Sequence, residues 1–367
     1  MDELNNRPRS PDTESKVAFL RSAAAYAHQP GLVSVIETHM SWLFLADGLV
    51  YKLKKPMKFP FLDFTTLGRR RRYCEVEVRL NRRLAGGIYR RIAPLCLDQS
   101  GHLALDGDGT VVDWLVEMDQ LPEDRFLHTS IAKGTVTREA VSLATERLTR
   151  FYAGARRQRR DGQLYLNHLV TESGVNRRLL GRPKSRLPLA RTTDLLDRVE
   201  ALLRLHIPEI RERIAMGCIV DGHGDLRPEH VWLGPPPAII DCLEFDRRMR
   251  IIDPYDELNY LGLECELLGA DWIRPLVLER LEQVIGRPPT PGLAATYGAF
   301  RALLRARICI AHLLDPHPSR PHHWPLVARR YLDIAARECL IAEGGEAGGS
   351  SHPHVTSGWR PPATERN

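Results

Sequence analysis

The stretch that most constrains this chain runs from Val220 to Asp256, VDGHGDLRPEHVWLGPPPAIIDCLEFDRRMRIIDPYD. It holds six Asp, two Glu and two His in two segments, which are joined by short apolar runs around a Gly-Pro-Pro-Pro turn. A turn between two apolar runs predicts a hairpin-like pair of strands. Asp225 and His230 then lie at the start of one strand, and Asp241 lies just beyond the end of the next. Carboxylates that converge at strand ends are costly unless a cation or a chemical task holds them there, so we expect the chemistry here.

The size and charge of the chain allow two lobes and set few limits on the ligand. A chain of 367 residues is long enough for two lobes with a sizeable buried core. Its hydrophobic content of 43% and charged content of 27% are ordinary for a globular protein. The net charge of +6 fits a phosphorylated or acidic ligand, or nucleic acid. We interpret the Arg clusters at 69–72 and 156–160 as solvated helix faces, so we expect no specific nucleic-acid partner.

The cysteines and the N-terminal sequence indicate the cellular compartment in which the protein is expected. The seven cysteines are scattered, odd in number and without a C-x-x-C pair, which argues against a disulfide framework and a structural zinc site. The N-terminal sequence MDELNNRPRSPDTE lacks the apolar segment of a signal peptide, and no stretch approaches the length of a membrane span. We therefore expect a soluble, cytoplasmic protein without membrane contact. The sequence does not indicate its oligomeric state.

The first third of the chain has the pattern of a small, mostly antiparallel sheet with one inserted helix. Asp47-Gly48 between two apolar runs is a strong signal for a tight hairpin. Gly86-Gly87 predicts the end of a helix, because glycine readily adopts the positive φ of a helix cap. In chain order, the predicted elements are a helix at 15–28, strands at 32–37, 42–46 and 49–53, a helix at 66–85, and strands at 88–97 and 111–118.

After Gln120-Leu121-Pro122 the pattern becomes helical. The Arg- and Gly-rich stretch 161–191 shows no clear period. The predicted helices are 138–158, 194–205, 257–268, 272–285, 293–314 and 326–343. We divide the chain into a disordered N-terminus (1–13), an N-lobe (14–119), a helical C-lobe (120–343) and a disordered Gly/Ser/Pro-rich tail (344–367).

Three motifs in the acidic stretch are similar to those of kinases. H-G-D-L-R-P-E-H at 223–230 resembles a kinase catalytic loop, in which a base Asp is followed five residues later by a magnesium ligand. I-I-D at 239–241 resembles the segment with the metal-binding Asp, and D-P-Y-D at 253–256 resembles the structural Asp motif. H-G-D in place of H-R-D resembles the aminoglycoside phosphotransferase-like families most. The segments ETHMSWLFL, VYKLKKP, FPFLDF and EVRLNRRL resemble an uncharacterised bacterial branch of that group, and the resemblance covers roughly residues 30–315.

The resemblance implies an α+β, protein-kinase-like fold with a small antiparallel-sheet N-lobe containing one helix and a larger helical C-lobe. It also implies an ATP-dependent phosphotransferase that moves the γ-phosphate to a hydroxyl group of a small molecule. The implied cofactors are ATP or GTP, with Mg²⁺ or Mn²⁺. The acceptor is not indicated; in the resembling family it is chosen by the C-lobe. Glu264 and Glu266 suit a cationic acceptor, although exposed helix glutamates are normally only solvated.

The acidic residues of the motifs receive separate roles from the resemblance. Asp225 is implied as the base that accepts the proton of the acceptor hydroxyl, and Arg227 as a contact of the transferred phosphate. Asp241 is implied as the Mg²⁺ ligand, since a hard cation prefers carboxylate oxygen. Asp253 and Asp256 are expected to cap the following helix and to brace the loop rather than to bind metal.

The N-lobe is implied to hold the nucleotide. Lys52 would pair with the α- and β-phosphates and be held by a helix carboxylate, for which Glu77 is favoured. Lys54 lies on the same strand face as Lys52, and Glu75 is the rival carboxylate, so both alternatives stay open.

Three further residues are implied as nucleotide contacts. Ser41 follows the first strand and is predicted to cap phosphates through its hydroxyl and N–H groups. Glu117 and Met118 resemble the hinge whose backbone groups read adenine.

One position departs from the family pattern. His230 stands where the magnesium-binding Asn of the loop is expected, and imidazole suits manganese, zinc or other transition metals better than Mg²⁺. His230 is therefore interpreted as a direct metal ligand with a shifted metal preference, as a ligand through water, or as a hydrogen-bonding neighbour. Glu244 or Asp246 would then compensate for the missing carboxamide. The T-H-M-S-W segment also lacks the glycines of a phosphate-binding loop.

These departures leave two alternative functions open. The first is a pseudokinase-like protein that binds nucleotide, or acts as a scaffold, with little turnover. The second is a metal-dependent phosphohydrolase built on the four side chains of His223, Asp225, His230 and Asp241.

Overall fold

The computed structural model describes residues 11–182, 185–314 and 321–344. Within these ranges the chain divides into two compact units. The sheet unit comprises the described residues up to Val136 together with Glu229–Asp246, and the helical unit comprises Thr137–Pro228 and the described residues from Arg247 onward. Residues 1–10 and 345–367, which fall in the two segments expected to be disordered, lie outside the described residues.

The elements follow one another along the chain with strands mostly first and long helices later. The strands are β1 (Val33–Glu37), β2 (Ser41–Ala46), β3 (Leu49–Lys54), β4 (Lys58–Phe59), β5 (Leu62–Asp63), β6 (Tyr89–Leu97), β7 (Leu103–Leu105), β8 (Thr110–Asp119), β9 (Val220–Asp221), β10 (Val231–Trp232), β11 (Ala238–Ile239) and β12 (Ile251–Ile252). The helices are α1 (Thr13–Leu20), α2 (Leu67–Ala85), α3 (Leu127–Ala132), α4 (Arg138–Gly154), α5 (Gln163–Leu180), α6 (Leu189–Ala215), α7 (Pro254–Leu267), α8 (Ile273–Ile285), α9 (Pro291–Ala311) and α10 (His323–Ala342).

The sheet unit is built on a six-stranded antiparallel sheet with the order β1-β2-β3-β8-β6-β7. The predicted strands are confirmed, and the short β7 was not predicted because three residues between turn signals carry little pattern. The β2–β3 hairpin turns at Asp47 (φ 41°) and Gly48 (φ 84°), the two positive φ angles that a tight two-residue hairpin requires.

Helix α2 covers one face of this sheet. The Thr66 hydroxyl caps its first turn by accepting from the Arg69 N–H at 3.3 Å, and Gly86 ends it with φ 60°, as predicted. Cys74 and Val78 of α2 belong to a buried apolar cluster with residues of β6 and β8. The helix predicted at 15–28 is wrong in its second half, because Ser22 caps a separate 3-10 turn at Ala23–Ala25.

The predicted acidic hairpin is confirmed for His230 and Asp241 and belongs to the sheet unit, whereas Asp225, expected at the start of its first strand, falls in the helical unit. Its strands β10 and β11 pair antiparallel with Val231 opposite Ile239, and each is only two residues long. Ile240, directly after β11, packs against the apolar cluster under α2. The hairpin therefore carries its acidic end to the face of the sheet that α2 covers.

The helical unit buries one extended core. The predicted helices are present with shifted ends, and α5 was missed because the polar residues Ser173 and Asn176 interrupt its buried apolar positions. Tyr165, Leu166 and Leu169 of α5 are nevertheless buried in the core with α6, α9 and α10. In the described ranges, no helix combines the length and the apolar composition that crossing a membrane would need.

Candidate functional site

The sheet unit holds a cluster of five charged side chains, called here the charge cluster: Lys52, Lys54, Glu77, Asp241 and Glu244. Lys52 Nζ donates to Glu77 Oε1 at 2.8 Å and to Asp241 Oδ1 at 3.0 Å. Lys54 Nζ donates to Glu77 Oε2 at 2.5 Å and to Glu244 Oε1 at 2.6 Å. Two lysines thus share one fully buried carboxylate, and each also binds one carboxylate of the hairpin.

Local geometry explains why both lysines reach Glu77. Side chains two residues apart on a strand lie on the same face, so Lys52 and Lys54 both face α2 while Leu53 is buried in the core on the other face. Glu77 is fully buried, whereas Glu75 is exposed and pairs with Arg71 at 2.9 Å. The structure therefore brings Glu77 to the lysines, and it brings both lysines rather than one of them.

The protonation of the cluster follows from its charges. Burial disfavours the charged form of Lys52, but the carboxylates of Asp241 and then Glu77 outweigh burial and raise its pKa well above the ordinary value. Burial also opposes ionisation of Glu77, yet the two lysines lower its pKa. For Glu244, burial raises the pKa, aided by the charge of Glu77 and opposed by Lys54. Glu244 thus protonates more readily than an ordinary glutamate.

The backbone beside Asp241 is held by two residues that sequence reasoning missed. The Asp241 N–H donates to the Tyr89 hydroxyl at 3.2 Å, and the Cys242 N–H donates to Asn81 Oδ1 at 2.9 Å. Asn81 Nδ2 in turn donates to the Glu77 carbonyl at 3.0 Å. The signal for Asn81 was its position four residues after Glu77, which places both on one helix face. These bonds hold Asp241 at φ 60°, a left-handed conformation that costs a non-glycine residue about 1–2 kcal/mol.

His230 lies beside Asp241, as the hairpin predicts. Its Nε2 is 3.6 Å from Asp241 Oδ2, and its carbonyl accepts from the Ile240 N–H at 2.9 Å. The Asp241 side chain is 47% exposed, while that of His230 is 8% exposed. A half-exposed carboxylate with an imidazole at its second oxygen is a donor set that fits a divalent cation. Over the residues that the structure describes, no group of three or more His, Cys, Asp or Glu side chains is arranged to hold a metal.

The predicted nucleotide contacts outside the charge cluster lie at two places in the sheet. Ser41 is buried, and its N–H donates to Thr38 Oγ1 at 3.0 Å within the β1–β2 turn. Glu117 and Met118 lie in β8, which is paired on one side with β3 and on the other with β6. The Glu117 carboxylate is 2.7 Å from Arg91. Ser41 lies opposite Lys54 in the β2–β3 pairing, but among the described residues no hydrogen bond or ion pair joins these three side chains to the charge cluster.

In the helical unit, Asp225 and Arg227 contact each other. Arg227 Nε donates to Asp225 Oδ2 at 3.1 Å, and both side chains are partly exposed. His223 is fully buried, and its Nδ1 accepts from the Asp225 N–H at 3.4 Å, a structural contact within the loop.

The backbone before Asp225 is braced by Glu257, which the sequence did not single out. Its buried carboxylate accepts from the His223 N–H at 3.0 Å and the Gly224 N–H at 2.5 Å, and it accepts from the Tyr152 hydroxyl at 2.7 Å. A Cβ at position 222 would clash with this carboxylate, which explains the glycine there. The brace was expected from Asp253 and Asp256, and the bonds to the loop come from Glu257 instead.

Asp253 and Asp256 are structural. Asp253 caps α7 through the Tyr255 N–H at 3.0 Å, as predicted, and accepts from Arg213 at 2.5 and 3.0 Å. Asp256 accepts from Arg301 at 2.8 and 2.7 Å.

Glu264 and Glu266 are also paired within the helical unit. Glu264 accepts from the Tyr331 hydroxyl at 2.9 Å and from Arg305 at 3.1 Å, and Glu266 accepts from Arg337. Both glutamates are therefore committed to internal partners rather than solvated on an open face.

Known proteins resemble this chain in sequence and in fold, although no family model matches it. The chain is 30% identical over 330 residues to the uncharacterised proteins Mb2027c of Mycobacterium bovis and Rv2004c of Mycobacterium tuberculosis. The match spans 87% of this chain and 64% of each relative, so this chain spans less than two thirds of the length of these curated relatives.

Two solved structures are similar to the chain over most of their length. A choline/ethanolamine kinase family protein from Mesorhizobium loti has a TM-score of 0.51 at 14% identity, covering 90% of this chain and 99% of that one. Choline kinase from Cryptosporidium parvum Iowa II has a TM-score of 0.50 at 11% identity, covering 91% and 97%. At such identities the likeness concerns the fold alone. The predicted α+β, protein-kinase-like fold is confirmed.

Proposed function

We propose that this chain of protein-kinase-like fold is an ATP-dependent phosphotransferase that moves the γ-phosphate to a hydroxyl group of a small molecule. The observation that carries the proposal is the pair of contacts from Lys52 Nζ, to Glu77 at 2.8 Å and to Asp241 at 3.0 Å. A lysine from a strand, a glutamate from a helix and an aspartate after a hairpin are the set that positions phosphates in this fold. Phosphoryl transfer asks the protein mainly for positioning and for neutralisation of charge, and this cluster supplies both.

Lys52 is the proposed phosphate contact. Its raised pKa keeps the ammonium group charged at neutral pH, and Glu77 holds the side chain from the buried side. The Lys52 ammonium group has three N–H donors, and one of them already donates to Asp241 Oδ1. Bound phosphate oxygens would therefore share these donors with Asp241.

Asp241 is the proposed ligand of the divalent cation. Its half-exposed carboxylate offers the hard oxygen that Mg²⁺ or Mn²⁺ prefers, and His230 stands beside it. When bound, the cation supplies neutralisation of the charge on the phosphate oxygens. Ser41, Glu117 and Met118 stay predictions as contacts of ATP or GTP.

Asp225 is the proposed base. The Glu257 brace fixes the backbone of the loop, and the bond from Arg227 orients the Asp225 carboxylate. The acceptor hydroxyl would give its proton to this carboxylate as its oxygen attacks the γ-phosphorus, and the bond from that phosphorus to the bridging oxygen would break to release ADP. Arg227 carries five N–H donors, so its bond to Asp225 is compatible with the predicted contact to the transferred phosphate.

A second function, nucleotide binding without turnover, is favoured by the β1–β2 turn. The Ser41 N–H is already taken by Thr38, and the turn has no glycine to present further backbone donors to phosphate. A pseudokinase-like role would use Lys52 and Asp241 in the same way but lack transfer.

The test separates binding from transfer. Calorimetry with ATP or GTP, in Mg²⁺ or Mn²⁺, should show binding that weakens about 10- to 100-fold in Lys52→Ala, the loss expected for one charge-assisted bond. The matched control is Lys58→Ala, because the Lys58 side chain is 71% exposed and its Nζ lies as far as 3.9 Å from the Asp63 carboxylate. Unchanged binding in Lys52→Ala, or no binding of either nucleotide, overturns the proposal.

Transfer is then measured with labelled γ-phosphate over a panel of hydroxylated acceptors. Choline and ethanolamine are tested first, because the solved kinases of similar fold are named after these compounds. Asp225→Asn should lower turnover about 10²- to 10⁴-fold and leave nucleotide affinity within about twofold. Binding without transfer to any acceptor would favour the pseudokinase-like function.

A further inference from the structure

The hairpin fixes the distance between His230 and Asp241. His230 directly precedes β10, and Asp241 follows β11. A hydrogen bond of 2.9 Å from the Ile240 N–H to the His230 carbonyl joins the two strands at this end of the hairpin. Tyr89 holds the Asp241 backbone from the other side. The separation of the two side chains is therefore set by backbone pairing within the sheet unit.

The two oxygens of Asp241 have different surroundings. Oδ1 accepts from Lys52 at 3.0 Å, while Oδ2 is 3.6 Å from His230 Nε2. A separation of 3.6 Å is too long for a hydrogen bond between a ring nitrogen and a carboxylate. His230 Nε2 and Asp241 Oδ2 therefore face each other without a direct hydrogen bond between them.

The distance between His230 Nε2 and Asp241 Oδ2 is close to the distance between two ligand atoms of one metal ion. Ligand atoms bound at about 2.1 Å lie about 3.0 Å apart at the right angle of an octahedron and about 3.4 Å apart at the tetrahedral angle. The observed 3.6 Å lies just above this range. Mg²⁺ demands oxygen ligands, whereas transition-metal ions accept imidazole nitrogen.

We propose that His230 Nε2 and Asp241 Oδ2 ligate one divalent transition-metal ion together, so that the site prefers Mn²⁺ to Mg²⁺ as the partner of the nucleotide. This rests on the proposed phosphotransferase function for the nucleotide, and it assigns a ligand atom and a metal class to the position where the resembling family has Asn. His230 then replaces the Asn of the resembling family as a metal ligand.

The direct test is pulsed EPR of the full chain with Mn²⁺·ADP. A coordinated imidazole gives a ¹⁴N coupling to the manganese electrons, and the coupling changes to that of ¹⁵N when the wild-type protein is labelled with ¹⁵N-histidine. This readout needs neither turnover nor a variant. His230→Asn should abolish the coupling, and His102→Asn is the matched control, because the His102 side chain is 81% exposed.

Affinities give the second readout. We expect wild-type protein to bind Mn²⁺·ADP at least about tenfold more tightly than Mg²⁺·ADP, and His230→Asn to remove most of that preference. Equal affinities without nitrogen coupling would overturn the metal assignment and leave the proposed function standing. Failure of ADP and ATP to bind with either metal would overturn both.

Discussion

Two groups of carboxylates, one in each unit, are neutralised in opposite ways. In the helical unit, Asp253 and Asp256 are fully buried, and each is matched by one arginine through two bonds. In the charge cluster of the sheet unit, two lysines serve three carboxylates, and one of these, Asp241, is 47% exposed.

This contrast indicates where chemistry is to be sought. A buried pair with matched charge and satisfied hydrogen bonds has nothing left to offer a ligand, so its role is structural. A cluster with excess negative charge and one accessible carboxylate is incompletely neutralised by the protein alone, and a cation or a change of protonation completes it. Asp241 and Asp256 are thereby distinguished, although both stand in acidic motifs of the same stretch.

The largest effect is expected from breaking a matched pair. Arg301→Met leaves Asp256 buried without its cation and should lower the free energy of unfolding by about 3–5 kcal/mol. Urea denaturation measures the loss. The control is Arg191→Met, whose exposed pair with Asp333 should contribute less than about 1 kcal/mol. Similar losses in the two variants would contradict the structural role of Asp256.

Removing a lysine from the charge cluster should cost less. Lys54→Met leaves Lys52 to neutralise Glu77, so we expect a loss of about 2–3 kcal/mol on urea denaturation. The double variant Lys54→Met/Glu244→Gln should recover part of the loss, because the uncompensated carboxylate is removed with its partner. Strictly additive losses would show that Lys54 and Glu244 do not act as a pair.

The brace of the helical unit should affect turnover more than binding. Glu257→Gln keeps the shape of the side chain but weakens its bonds to the His223 and Gly224 N–H groups. Misplacement of Asp225 should then lower turnover by about 10- to 100-fold, with nucleotide affinity unchanged. Steady-state kinetics with a working acceptor measures this, and equal losses of affinity and turnover would point to general unfolding instead.

The smallest effect concerns pH. The pKa of Glu244 is raised in the folded state by burial, so the folded state holds this proton more tightly than the unfolded state. The stability that the proton provides is present below the ordinary glutamate pKa and is lost as pH rises through the folded value. Glu244→Gln should therefore lose less stability than wild type as pH is raised from about 4. Parallel pH profiles from urea denaturation would contradict the assignment.

Much of the site was predictable because its parts are local. The alternation around Leu53 places Lys52 and Lys54 on one face, and the Gly-Pro-Pro-Pro turn places His230 near Asp241. The choice between Lys52 and Lys54 was not predictable. Both lie on the correct face, and only packing against Glu77 shows that both are used.

Other features were missed because no local pattern encodes them. Tyr89 and Glu257 look like an ordinary strand tyrosine and helix glutamate until their partners are known. Helix α5 has polar residues among its apolar positions, and only the core contacts of Tyr165 and Leu169 define its buried face.

Local sequence is sufficient to specify five of the six strands of the sheet, helix α2 and the acidic hairpin, because neighbouring residues set the periods of strand and helix. Which charges meet depends on tertiary packing. Lys52 and Asp241 are 189 residues apart in the chain, yet Lys52 Nζ donates to Asp241 Oδ1 at 3.0 Å. Such distances result from the packing of whole elements, which fixes side-chain separations that no local pattern specifies.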